Sequence, residues 1–269
     1  MMTICRPVGS ETTEEQSWPV LVCVLGHFRL VAAGRPVPMR AGGKTQALLS
    51  MLALGPANGV SRDTMLATVW PDSEPSQAAQ SLNSLVHHLQ RLLSDGLGGA
   101  PFLVRVGGAY RLNFDAGVAV DAVKFVALAA EGERHVATGE TVAAMERFGR
   151  AVALYHGDLD EATSVQAVVE RERLRGIYLG LLGQLADHHF MAGDHAAAQR
   201  YAQCALASEP CREDFHRLLM RSFVRAGERA RALRQYRLCE QVLMSEFQAL
   251  PEMATRALFE QVRDDPEHA

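Results

Sequence analysis

Apolar and polar residues alternate at both ends of the segment 18–115, which predicts strands there. Residues 20–30, VLVCVLGHFRL, are rich in valine, and Ala33-Gly34-Arg35 predicts a turn before an edge strand at 36–38, where proline is tolerated. The sequences FLVRV and YRLNF predict two more strands around a tight turn at Gly107-Gly108.

A helical period replaces this alternation in the middle of the segment. Apolar spacing, a serine N-cap and closing prolines predict helices at Lys44–Leu54, Ser61–Trp70 and Ser76–Leu93. The order of strand hairpin, three helices and strand hairpin predicts a winged helix-turn-helix. Its third helix would read DNA, and its last hairpin would be the wing.

From residue 120 onward the pattern is helical throughout. The predicted helices are Asp121–Glu131, Thr138–Tyr155, Val165–Met191, His195–Ala207, Cys211–Arg225, Glu228–Phe247 and Glu252–Val262. Gly193 and Gly227 lie 34 residues apart, the tetratricopeptide period, and Ala198 and Ala232 share that offset. We therefore expect a mainly α protein. An α+β winged helix would be followed by an all-α tetratricopeptide-like repeat domain.

Charge and composition divide the 269 residues into three parts. Residues 1–17 are polar with a net charge of −2, and we expect them to be a mobile tail. Residues 18–115 have a net charge of +3 and are expected to be the DNA-binding domain. Residues 116–269 have a net charge of −5 and are expected to be the helical domain. Five scattered cysteines argue against a disulfide scaffold. The chain has neither a secretory leader nor an apolar run of membrane-span length, so we expect a cytoplasmic protein without a membrane partner.

The polar face of the third helix is the candidate DNA-reading surface. Its apolar residues Leu82, Leu85, Leu89, Leu92 and Leu93 fall together on one side, which should be core. On the other side asparagine and glutamine can pair with adenine and arginine with guanine. The predicted base-reading residues are Gln77, Gln80, Asn83, Ser84, His87, His88 and Arg91. The alternative is an ordinary solvated helix face.

Contacts with DNA phosphates supply affinity without sequence information. They require cationic side chains near the third helix and the wing. The candidates are Arg40, Lys44, Arg62, Arg105 and Arg111. Each could equally be plain surface charge.

No catalytic or cofactor site is predicted. GGKT at 42–45 lacks the earlier glycine of a phosphate-binding loop, because Pro38 stands there, and it is better explained as a turn into a helix. No CxxC or HxxxH spacing indicates zinc, and no nucleophile–base set is evident. We expect neither an enzyme nor a cofactor.

The chain resembles the SARP-type transcriptional regulators, which join an OmpR-like winged helix to a bacterial transcriptional activation domain. The resemblance covers about residues 20–263. The matching segments are VLGHFRL, GGKTQALLSMLAL, MLATVWPD, SLNSLVHHLQRLL, GGAYRL, VDAVKF, RAVALYHGDL, ERERLRGIYLGLLGQLADHHFMAGDHAAA and RSFVRAGERARALRQYRLCEQVLMSEFQALPEM. Family members often carry arginines in the recognition helix, whereas here Arg91 is its one cation.

The resemblance implies an activator that binds promoter DNA and recruits RNA polymerase. It places the polymerase contact in the loop 71–75, at Asp72 and Glu74, and it implies a homodimer held by the helical domain. Two alternatives remain at this point. The winged helix could have lost DNA binding, leaving a tetratricopeptide-like scaffold for a protein partner, or a small-molecule effector could bind between helices of the second half.

Overall fold

The computed structural model describes residues 18–159 and 165–264. The predicted tail 1–17 lies outside these residues. Within them, the strands all precede residue 121: β1 (Val20–Cys23), β2 (Arg29–Ala32), β3 (Arg35–Pro36), β4 (Val60–Ser61), β5 (Leu103–Val106), β6 (Ala109–Leu112) and β7 (Val118–Val120).

The strands form two small sheets. In the first, of order β3-β2-β1-β7, β1 is antiparallel to β2 and parallel to β7, so that Val20 lies opposite both Ala32 and Val118. In the second, of order β4-β6-β5, β5 and β6 form the predicted hairpin. The edge strand β3 ends at Pro36, earlier than predicted, although the Val37 N–H still donates to the Leu30 carbonyl at 2.8 Å.

Ten helices fill most of the remaining described chain, and none of them is long and apolar enough to cross a membrane. They are α1 (Lys44–Ala53), α2 (Arg62–Val69), α3 (Pro75–Leu93), α4 (Asp121–Ala137), α5 (Thr141–Leu154), α6 (Val165–Met191), α7 (His195–Ser208), α8 (Glu213–Arg225), α9 (Arg229–Phe247) and α10 (Met253–Asp264).

Local chemistry explains where the first three helices begin. Gly42, with a φ of 67°, turns the chain into α1, and its N–H donates to the Gln46 side-chain oxygen at 3.0 Å. The Ser61 hydroxyl caps α2 by accepting from the Thr64 N–H at 3.0 Å. Pro75 occupies the first turn of α3, where its missing N–H costs no hydrogen bond. The order of elements confirms the winged helix-turn-helix.

The described chain divides into two compact units. One contains residues 18–128, 154–159 and 165–171; the other contains 129–153 and 172–264. The first unit therefore runs past residue 115, because β7 completes its sheet and the start of α4 follows directly. The domain boundary at 115 stays a prediction.

A buried carboxylate connects β1 to the start of α4 within the first unit. Asp121 is 2% exposed, and its oxygens accept from the N–H groups of Val24 and Leu25 at 2.8–3.0 Å and of Ala122 at 2.7 Å. These bonds satisfy the backbone N–H groups of the two residues that follow β1 and of the second residue of α4. Burial raises the pKa of Asp121 to about 6 against the opposing effect of those hydrogen bonds.

Helical hairpins stack in the second unit, where α7 packs on α8, α8 on α9, and α9 on α10. Gly193 and Gly227 both adopt positive φ, 78° and 75°, at the turns before α7 and α9. Ala198 and Ala232, 34 residues apart, are both fully buried. The predicted tetratricopeptide-like repeat is confirmed in this unit.

His216 lies in a polar network inside this helical stack. Its Nε2 donates to the Pro210 carbonyl oxygen at 2.8 Å, and its Nδ1 accepts from Gln235 at 2.7 Å. Both ring nitrogens are thus used by a neutral imidazole, and burial lowers the pKa of His216.

Candidate nucleic-acid interface

Helix α3 has one buried face and one polar face. Ala78, Leu82, Leu89 and Leu93 are at most 3% exposed and pack in the core of the first unit. The side chains predicted to read bases are all exposed: Gln77, Gln80, Asn83, Ser84, His87, His88 and Arg91. The arrangement leaves a polar stripe along a rigid helix.

Two leucines of the predicted core face of α3 are not fully buried. Leu92 is 40% exposed and Leu85 is half-buried, so the buried stripe is narrower than the sequence indicated. Both lie at the same edge of the apolar stripe, because 100° steps place them on one side of Leu82 and Leu89.

Two predicted contact residues lie against each other at the junction of α2 and α3. The Arg62 guanidinium donates to the Asn83 side-chain oxygen at 3.3 Å. A groove of about 330 Å³ opens beside them, and His87 and the wing residue Tyr110 also line it. A residue predicted for phosphate and two for bases therefore share one recess with the wing.

The wing places a cation at its exposed hairpin. Gly107 and Gly108, with φ of 59° and 88°, form the turn, and both lie in open space. Arg105 is exposed on β5 and stacks over the cross-strand Tyr110 ring at 5.7 Å. This contact holds the guanidinium near the wing tip.

The other predicted phosphate residues differ in how they are held. Lys44 is exposed at the start of α1, with Nζ 5.2 Å from the Trp70 ring, and Arg40 is exposed before α1. Arg111 is only 38% exposed and lies 3.9 Å from the Asp115 carboxylate. Arg111 is therefore the least available of the five.

Gln90 is a structural residue that sequence reasoning did not assign. Its side chain donates to the Ala100 carbonyl oxygen and accepts from the Phe102 N–H, both at 3.0 Å. These two bonds fix the entry to β5 against α3 and so position the wing. A glutamine at the margin between the polar and apolar faces was the available signal.

The loop between α2 and α3 is exposed and acidic. Asp72 and Glu74 are both exposed, and Glu74 immediately precedes α3. Trp70, 5% exposed, anchors the start of the loop in the core. The two carboxylates are thus displayed at the N-terminal end of the reading helix.

Across residues 18–159 and 165–264, no group of three or more histidine, cysteine, aspartate or glutamate side chains is arranged to hold a metal ion. Gly42 and Gly43 form the turn into α1 and leave Lys44 exposed at the start of that helix.

Residues 120–263 match the bacterial transcriptional activator domain family, more than half of the chain. The chain belongs to this family. The regulatory protein AfsR of Streptomyces coelicolor is 28% identical over 260 residues, which cover 96% of this chain and 25% of AfsR. The transcriptional regulator RedD of the same organism is 27% identical over 244 residues, 86% of this chain and 67% of RedD.

Together with the family match, these relatives confirm the resemblance to SARP-type transcriptional regulators. The chain spans about a quarter of the length of AfsR. Among solved structures, Mycobacterium tuberculosis EmbR, in complex with a low-affinity phosphopeptide, has a TM-score of 0.66. The two chains are 23% identical, and the alignment covers 91% of this chain and 65% of EmbR. EmbR therefore supports the fold, a winged helix followed by a helical domain.

Proposed function

We propose that this SARP-type regulator binds duplex DNA through its first unit, with α3 in the major groove and the β5–β6 wing near the adjacent backbone. The observation that carries the proposal is the polar stripe of α3, in which seven exposed side chains lie opposite the buried Leu82 and Leu89. Amide, imidazole and guanidinium groups in that position can pair with base edges.

Affinity for phosphate would come from Arg40, Lys44, Arg62 and Arg105. Each is at the edge of the reading helix, the start of α1 or the wing, and none forms an ion pair with a carboxylate of the described residues. Neutralising about four phosphates predicts a log–log salt slope of about −3.6 per protomer.

Fluorescence anisotropy with duplexes from the neighbourhood of its own gene tests base reading. Asn83→Ala and Arg91→Ala should each weaken binding to the preferred duplex by about 1–3 kcal/mol and leave binding to random DNA nearly unchanged. Asn58→Ala and Arg35→Ala are matched controls at exposed positions outside α3. Equal losses on preferred and random DNA would refute base reading by α3.

We also propose that the acidic loop before α3 contacts RNA polymerase, as the resemblance implies. The exposure of Asp72 and Glu74 beside the reading helix supports this. Replacing both with alanine should lower transcription in vitro and leave DNA affinity unchanged, whereas Asp95→Ala, at another exposed carboxylate, should change neither. Parallel loss of transcription and DNA binding would refute the contact.

The helical unit is proposed to form a homodimer. Exposed apolar side chains at the α9–α10 connection support a contact surface: Phe247, Leu250 and Met253 are 62–77% exposed. Light scattering after gel filtration should show a dimer that Phe247→Ser with Met253→Ser dissociates. Val142→Ser, at a valine of α5 that is 83% exposed, is the control. A dimer unaffected by the double variant would refute this surface.

The scaffold alternative has one observation in its favour. Arg91 is the one cation of α3, and Asp72 and Glu74 add negative charge at its other end. If the folded protein fails to bind any duplex at low salt, the exposed apolar surface at the α9–α10 connection would instead bind a protein partner.

A further inference from the structure

We propose that the groove between α2, α3 and the wing binds a small aromatic carboxylate, in competition with DNA. Ligand binding itself is independent of the function proposed above; only the competition rests on it. The groove has a volume of about 330 Å³, within the range of small-molecule sites.

The floor of the groove is apolar and rigid. Met65 and Phe102 are each 1% exposed, Leu82 is 3% exposed, and all three are fixed in the core of the first unit. Val86 and Tyr110 form half-buried walls. Such a lining favours a flat ring that displaces water from apolar surface.

The polar side of the groove carries a guanidinium group, which favours an anionic ligand. Arg62 is half-buried, and its guanidinium hydrogen-bonds the neutral Asn83 amide; within residues 18–159 and 165–264 it forms no ion pair. A carboxylate would supply a bidentate, charge-matched partner for the guanidinium. Asn83 and His87 then offer further donors at the same rim.

Occupancy would change the reading surface directly. Asn83 and His87 belong to the polar stripe proposed to contact bases, and Arg62 to the cations proposed to contact phosphate. A bound carboxylate would neutralise Arg62 and engage Asn83, so the ligand and DNA would compete for these groups. Regulation by a metabolite would then act at the DNA-binding unit itself.

The test uses 2-naphthoate as the probe and neutral 2-naphthamide as its uncharged counterpart. Saturation-transfer NMR and calorimetry on the full chain should show saturable 2-naphthoate binding that Arg62→Gln weakens about tenfold. Binding of 2-naphthamide should be weaker and change less than about twofold with the same variant. Arg35→Gln, at an exposed arginine of β3, is the matched control and should bind like the wild type.

A second variant keeps the charge and fills the groove. Val86→Phe should abolish binding of both probes, with folding checked by circular dichroism. Absence of saturable 2-naphthoate binding to the wild type, or equal affinity of wild type and Arg62→Gln, would overturn the proposal. Because these readouts contain no DNA, they stand whether or not the chain binds DNA. Displacement of a bound duplex by 2-naphthoate then tests the competition.

Discussion

Replacing the buried Asp121 carboxylate should destabilise the first unit more than any exposed substitution. Asp121→Ala leaves the N–H groups of Val24 and Leu25, at the end of β1, without their acceptor. Each orphaned buried donor costs about 1–3 kcal/mol, so the expected loss at pH 7 is about 3 kcal/mol. Asp121→Asn keeps one acceptor oxygen and should lose about half as much.

Tryptophan fluorescence in urea is a suitable assay. The chain has two tryptophans, Trp18 and Trp70, and both lie in the first unit, so their emission follows that unit alone. A loss of 3 kcal/mol should lower the urea midpoint by about 2 M. The control is Asp115→Ala, whose side chain is 89% exposed, with an expected change below about 0.5 kcal/mol. Equal urea midpoints for the two variants would refute the stabilising role of the Asp121 carboxylate.

The pH dependence of the same effect has a definite sign. The pKa of Asp121 is about 6 in the folded chain and about 3.9 when unfolded, so the folded state binds the extra proton between these values. The pH-dependent part of this carboxyl's contribution to the free energy of unfolding is therefore greatest below pH ~4 and is lost as the pH rises through 6. The difference between wild type and Asp121→Asn should be larger at pH 5 than at pH 7, by roughly 1.3 kcal/mol. A difference that grows with rising pH would contradict this assignment.

Two further predictions concern single titratable groups. Because burial lowers the pKa of His216, the stability of the helical unit should be complete above pH ~6.5 and fall with decreasing pH, and His216→Asn should remove that component in circular dichroism melts. Burial raises the pKa of Cys239 to about 12, so mass spectrometry should find no iodoacetamide on this thiol in the native chain and full labelling after unfolding.

Local sequence pattern was sufficient for most elements. The helix predicted at Val165–Met191 has those bounds in the structure, and α8 and α9 begin within two residues of their predicted starts. Amphipathic spacing, N-caps and glycine turns act within a few residues, so each can be detected in a short window. The winged helix and the repeat follow from the order of such signals.

Contacts between distant segments could not be predicted in the same way. Strand β7 has three residues and pairs in parallel with β1 almost 100 positions earlier, and no local pattern specifies that register. The sequence pattern predicts Asp121 only as a helix start, although a single carboxylate within VAVDAVKFV is a signal for a buried role. The bond from Arg62 to Asn83 likewise depends on how α2 packs against α3.

Anisotropy of a labelled duplex across a salt series, with random competitor DNA, tests the central claim most directly. The account predicts competitor-resistant binding of the full chain that weakens with salt, with a log–log slope between about −3.6 for one protomer and about −7.2 for a dimer. No binding at low salt by protein whose fold is verified by circular dichroism would contradict DNA binding by the winged helix.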